Sequence, residues 1–251
     1  DLAARVMDSP LSDLLGGADG DSVPLYRSIG QADPDAMAQK AQDYVRRGYR
    51  RLQVKVGADP LEDVERLKAV RAAVPNDVPL YADANGGWLL EDGLRFVDRT
   101  RDIDYWLEQP CMAYADNRTI AQRCAKPMVL DEGLVTLADL LRAHQDGVIS
   151  GATLKIARIG GIGPTRLMRD IAVSLGLKVT IEDTGGSTIN TAATAHMMLS
   201  TPKAHRAHTV DFMNWVTVQN ATGMPATAEG MLFGPSGPGL GITVDPDLFL
   251  Q

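Results

Sequence analysis

Three acidic residues close three successive short apolar runs: Asp83 ends PLYAD, Glu108 ends DYWLE and Asp131 ends PMVLD. Counted along the chain (83 to 108, 108 to 131) they stand 25 and 23 residues apart, the length of one strand plus one helix. Carboxylates delivered to one rim by three neighbouring strands form a hard, all-oxygen donor set, which suits Mg²⁺ better than zinc. Two lysines flank the trio, Lys55 in RLQVKVG and Lys155 in TLKIARIGG. A carboxylate substrate bound to such a cation would lie between the two amines. Removing a proton next to a carboxylate creates an enediolate dianion, which is unfavourable in water. A divalent cation stabilises it as a Lewis acid, and a lysine whose pKa the cation lowers can serve as the base.

Each residue alone has a plainer reading. An acid at a strand end commonly caps the next helix, and a lone lysine in a strand commonly points to solvent from an edge. Three acids at this spacing, with two lysines inside apolar runs where an unused charge is costly, favour the chemical reading. Gly160, Gly161 and Gly163 do not complete a dinucleotide loop, because Pro164 follows, so a tight turn is expected there. His144, His196, His205 and His208 lack ligand spacing and are expected at the surface or in packing.

The elements that must position these residues alternate regularly. Extended segments are expected at 23–29, 51–56, 79–84, 105–109, 127–131, 152–157, 178–183 and 206–212. Helices are expected at 34–47, 60–74, 91–100, 115–124, 136–146, 164–175 and 187–200. Asp33 and Asp59 are the expected N-caps, each followed by a proline at the first helical position. Strand and helix alternating in this way predict parallel strands covered on both faces. A doubly wound sheet would alternate too. Acids at the ends of adjacent strands favour a TIM-like (β/α)7β barrel, whose chemistry sits at the C-terminal ends of its strands. Residues 213–251 are rich in Gly and Pro and predict no eighth helix.

Length and composition agree. The chain has 251 residues, 45% of them hydrophobic, with formal net charge −7 and mean hydropathy −0.10. The acidic balance argues against nucleic acid, and no run approaches the ~18–20 apolar residues of a membrane span. Cys111 and Cys124 lack metal spacing, so a reducing, cytoplasmic compartment is expected. Leu2, Val6 and Met7 lie at helical spacing with no cap before them, and an N-terminal segment is expected to precede Asp1.

The motifs VKVG, ADANGGW, LEQP, LDE, LKIARIGG and PGLGI, taken together, resemble the catalytic barrel of the enolase superfamily in its mandelate racemase/muconate lactonizing branch. The resemblance implies that Asp83, Glu108 and Asp131 bind Mg²⁺, and that Lys55 and Lys155 are an acid/base pair on opposite faces of the substrate α-carbon. It implies a preceding α+β capping domain, towards which residues 213–251 would pack. It departs at Gln53, where the branch usually has a second lysine. VTIEDTGG and VDFMNWVT look most like members acting on proline derivatives, cis-3-hydroxy-L-proline dehydratases and hydroxyproline betaine epimerases. Gln53, Asn85, Asp183 and Trp215 are the candidate substrate contacts, Trp215 through an aromatic face over a cationic nitrogen. The expected activity is dehydration of a cyclic amino acid, with racemisation or epimerisation by the same lysines as the alternative. A Schiff-base aldolase using Lys155 and a non-catalytic binding barrel are the readings from other classes. The expected partners are a small carboxylate or amino-acid substrate and further copies of the chain, with neither nucleic acid nor membrane.

Overall fold

The computed structural model describes residues 1–249. Contacts divide the chain into two compact units, Tyr26–Thr153 and Asp1–Leu25 with Leu154 onward.

In the first unit, Arg27–Ile29, Leu52–Lys55, Leu80–Asp83, Trp106–Glu108 and Met128–Leu130 pair in parallel in chain order, and Met128–Leu130 pairs with the start of Gly151–Lys155. The helices Pro34–Arg46, Pro60–Ala73, Leu90–Arg99, Tyr114–Arg123 and Leu137–Gln145 fill the connections. Their starts follow from local chemistry. Asp33 accepts from the Asp35 N–H, Asp59 from those of Leu61 and Glu62, and Thr136 forms a reciprocal capping pair with Asp139. One face of the strands carries Leu52, Val54, Leu80, Ala82, Leu107 and Leu130, all at most 0% exposed. The other face carries polar and aromatic side chains in register rows. Gln53, Tyr81 and Trp106 make one row, and Lys55, Asp83 and Glu108 the next. Tyr81 and Trp106 stack with ring centres 5.7 Å apart, which fixes the orientation of the first row.

The second unit contains the strand Lys178–Glu182. Ile162–Ser174 and Thr188–Leu199 are its longer helices. The extended segment expected at 206–212 is present as isolated pairings, Val179 with Arg206 and Leu25 with Thr209, and ends in the short turn Phe212–Asn214. The single strand expected at 23–29 is two. Ser22–Pro24 pairs antiparallel with Met231–Phe233, whereas Arg27–Ile29 joins the parallel sheet, and one straight strand cannot serve both partners. All seven expected helices are found within two residues of their expected ends. No eighth helix of comparable length follows among the described residues. The segment 237–242 packs on the beginning of the chain, with Leu11 donating to the Gly239 carbonyl and Leu240 to the Asp1 carboxylate. No described helix is long and apolar enough to cross a membrane.

His196 lies fully buried in Thr188–Leu199, and its Nδ1 accepts from the Ser12 N–H at 3.2 Å. Burial holds its pKa below the ordinary histidine value. The sign follows: below the unfolded pKa of about 6.5 the unfolded chain takes up the proton first, so stability falls as pH falls. Protonation of Nδ1 would also remove the acceptor that Ser12 uses. Thermal melting of the protein and of His196→Gln at pH 7 and pH 5 checks this. Acidification should lower the midpoint of the protein more than that of the variant.

Candidate active site

The first unit brings together most of the residues singled out by spacing. Because strands Leu52–Lys55, Leu80–Asp83 and Trp106–Glu108 pair without a register shift, Lys55, Asp83 and Glu108 fall in one row at their C-terminal ends. Val129 is the register partner of Glu108, so Asp131 stands two residues further along, on the same face by strand alternation. Asp83, Glu108 and Asp131 are 1%, 2% and 2% exposed.

Buried carboxylates need donors, and strands one or two places away supply them. Lys55 Nζ donates to Asp83 Oδ2 at 2.5 Å and to Asn85 Oδ1 at 2.8 Å. Gln53 Nε2 donates to Glu108 Oε2 at 2.9 Å, and Thr153 Oγ1 to Glu108 Oε1 at 2.8 Å. Gln53, the departure from the usual lysine, thus supports a candidate metal ligand directly. Asn85, in the left-handed region at φ 46°, donates its backbone N–H to Asp83 and its amide to Glu132. Desolvation raises the pKa of Asp83; the Lys55 ammonium opposes this, and the Asp131 charge adds to it.

Gln109, which spacing did not single out, braces the rim. Its Oε1 accepts from the backbone N–H of Asp131 and of Gly133, while its Nε2 donates to the Cys111 carbonyl. The LEQP motif contained it, but nothing in the sequence tells a structural amide from a substrate contact.

Among the described residues, no three His, Cys, Asp or Glu side chains are drawn into a cluster that could hold a metal ion as they stand. The donor set nevertheless fits a hard cation. It is all oxygen and held by neighbouring strands, and the adjacent Glu132 Oε2 is buried without a hydrogen-bond partner. Asp83, Glu108 and Asp131 would be the residues to hold Mg²⁺.

The second unit holds the remaining candidates. Lys155 is buried at a strand end, with Nζ 3.4 Å from Glu182 Oε1. Glu182 was missed in the sequence. Its signal was the alternation in KVTIE, which puts Thr180 and Glu182 on the face opposite Val179 and Ile181. Asp183 accepts from the backbone N–H of Ala157 and Thr184 and from the Asn190 amide, so it braces the turn after Lys155. Trp215 is half exposed and meets Phe212 edge-on at 6.2 Å. Gly160 and Gly161 have φ of 106° and 112°, the tight turn expected of them. Cys111 and Cys124 are free thiols.

Comparison with known proteins places the chain in a family. The sequence model of the family described as enolase C-terminal domain-like matches residues 36–248. The chain is 40% identical over 243 residues to the cis-3-hydroxy-L-proline dehydratase of Roseibium aggregatum, covering 97% of this chain and 66% of that enzyme. It is 27% identical to the N-succinyl-L-Arg/Lys racemase of Bacillus cereus, covering 80% of this chain and 55% of that enzyme. A protein from Roseovarius nubinhibens ISM, assigned to the mandelate racemase/muconate lactonizing enzymes and solved with magnesium, superposes with a TM-score of 0.95. It shares 34% identity, over 98% of this chain and 69% of its own. The chain belongs to the enolase C-terminal domain-like family and shares its TIM-like fold, in the mandelate racemase/muconate lactonizing branch of the enolase superfamily.

Proposed function

We propose that this chain carries the catalytic machinery of a Mg²⁺-dependent lyase that dehydrates cis-3-hydroxy-L-proline or a closely related cyclic amino acid. The observation that carries the reading is the row of Lys55, Asp83 and Glu108 at adjacent strand ends. The substrate class rests on the likeness to the Roseibium dehydratase. When bound by Asp83, Glu108 and Asp131, the cation supplies Lewis-acid stabilisation of the charge that develops next to the substrate carboxylate.

The chain's own residues do the rest. Lys55, held by Asp83 and Asn85, is assigned to one face of the α-carbon. Lys155 is assigned to the other. In sequence it stands two residues beyond Thr153, whose hydroxyl donates to Glu108. One amine removes the α-proton, the β-carbon–oxygen bond breaks, and the hydroxyl leaves as water with a proton from the other ammonium. Gln53 and Thr153 hold Glu108, and Asn85 couples Lys55 to Glu132. Asp183 and Trp215 are assigned to the substrate's nitrogen side. A second reading, epimerisation by the same two lysines, is favoured by the likeness to the Bacillus cereus racemase. The product decides between them, an unsaturated ring or the α-epimer.

The two lysines should separate by stereochemistry. In D₂O, Lys55→Ala and Lys155→Ala should each lose α-proton exchange of a different configuration of substrate, followed by proton NMR. Loss of the same exchange in both variants would leave one lysine with no proton to move.

Asp83 gives a prediction that separates activity from folding. Its folded pKa lies above the unfolded value of about 3.9, so its stabilising contribution is lost as pH rises, and at pH 7 the buried charge costs stability. Asp83→Asn removes that buried charge but also the acceptor that the Lys55 ammonium uses, so it should abolish turnover while the metal-free protein still melts cooperatively. Retained turnover in the folded variant would make Asp83 a structural carboxylate.

A further inference from the structure

Asp63 lies in the first turn of Pro60–Ala73, away from the row of site residues, and is 0% exposed. A fully buried carboxylate persists only where its oxygens are met by donors, and here four converge on it. Its Oδ2 accepts from the backbone N–H of Gly57 and Ala58, each at 2.9 Å, and from the Trp88 indole at 3.3 Å. Its Oδ1 accepts from Arg66 Nη1 at 2.7 Å. The indole also donates to the Ala58 carbonyl at 3.2 Å.

Arg66 shares the helix of Asp63, and the other three donors belong to two loops, each beginning directly after a proposed site residue. Residues 56–58 follow Lys55, and residues 84–88 follow Asp83. The loops meet backbone to backbone. A Cβ on Gly57, whose φ is 105°, would stand 2.4 Å from the Ala84 oxygen, and a Cβ on Gly87 would stand 2.5 Å from the Gly57 oxygen. Val56 donates to the Asp83 carbonyl at 2.9 Å. The ammonium of Lys55 reaches Asp83 and Asn85 across this junction.

We infer that Asp63 is a positioning residue for Lys55: it clamps the loop after Lys55 to the loop after Asp83 and so fixes where the amine meets the substrate. This rests on the proposed function, in which Lys55 serves one face of the α-carbon. It adds that a residue touching neither substrate nor metal controls one of the two proton transfers and not the other. An error of about 1 Å in a reacting group can cost on the order of 100-fold in rate, and the amide of Asp63→Asn would turn a donor towards donors already present.

The test compares Asp63→Asn, Trp88→Phe, Lys55→Ala and the parent, each loaded with Mg²⁺, using cis-3-hydroxy-L-proline and its α-epimer in D₂O. Trp88→Phe removes only the indole donor and keeps a ring against Phe96, so it guards against a variant that fails to fold. A second readout, without metal, is the ¹⁵N signal of the Lys55 ammonium, assigned by its absence in Lys55→Arg. The expected result is that Asp63→Asn loses about 10- to 100-fold in the α-proton exchange of the configuration whose exchange Lys55→Ala abolishes, keeps the exchange of the other configuration, and shifts the Lys55 signal. Trp88→Phe should lose less, in the same configuration. Equal loss in both configurations, or no loss beside a selective Lys55→Ala, would overturn the inference and leave the two-lysine reading standing. A Lys55→Ala variant that is not selective, or a parent that reacts with neither configuration, would overturn that reading and the inference together.

Discussion

Burial of negative charge at the ends of adjacent strands is the constraint on which this structure turns. Asp83, Glu108 and Asp131 are each nearly inaccessible, and a carboxylate taken out of water without compensation costs several kcal/mol. The fold answers with specific donors: an ammonium at Asp83, an amide and a hydroxyl at Glu108, and a Gln109 brace on the backbone of Asp131. Compensation remains incomplete at Asp83, whose pKa is raised by burial first and by the Asp131 charge as well. A site held under such strain is what a protein keeps when the charges serve a ligand, since neutral residues of the same shape would give a more stable fold.

The parallel sheet makes this arrangement inexpensive to specify. Unshifted register across three strands converts equivalent sequence positions into a row in space, so one residue per strand suffices to build a rim. The faces then divide the work. Leu52, Val54, Leu80, Ala82 and Leu107 bury the sheet on one side, which leaves the alternate positions free for Gln53, Lys55, Tyr81, Asp83 and Glu108. Loops after the strands need only fine positioning, and buried polar groups such as Asp63 and Gln109 supply it.

That division also explains what could be read from the sequence. Strand-ending acids at regular intervals revealed the trio, and proline after aspartate revealed the starts of Pro34–Arg46 and Pro60–Ala73, because both signals are local. Asp63 and Gln109 were invisible as braces, since, Arg66 apart, the groups that donate to them lie on other elements and only the fold brings them near. Glu182 was legible from strand alternation but was passed over in favour of its neighbour Asp183, whose side chain binds the backbone of its own unit. Residues 206–212 had the composition of a strand, yet pairing through isolated positions depends on neighbours that no local pattern encodes.

Calorimetric titration of the protein with Mg²⁺ at neutral pH tests the central claim most directly, because it needs no substrate. The account predicts one saturable site, with affinity lowered by well over about 10-fold in Glu108→Gln and in Asp131→Asn, since even outer partners of metal ligands commonly carry 10- to 100-fold. Binding of equal affinity in the parent and both variants would contradict it, as would no binding at millimolar Mg²⁺.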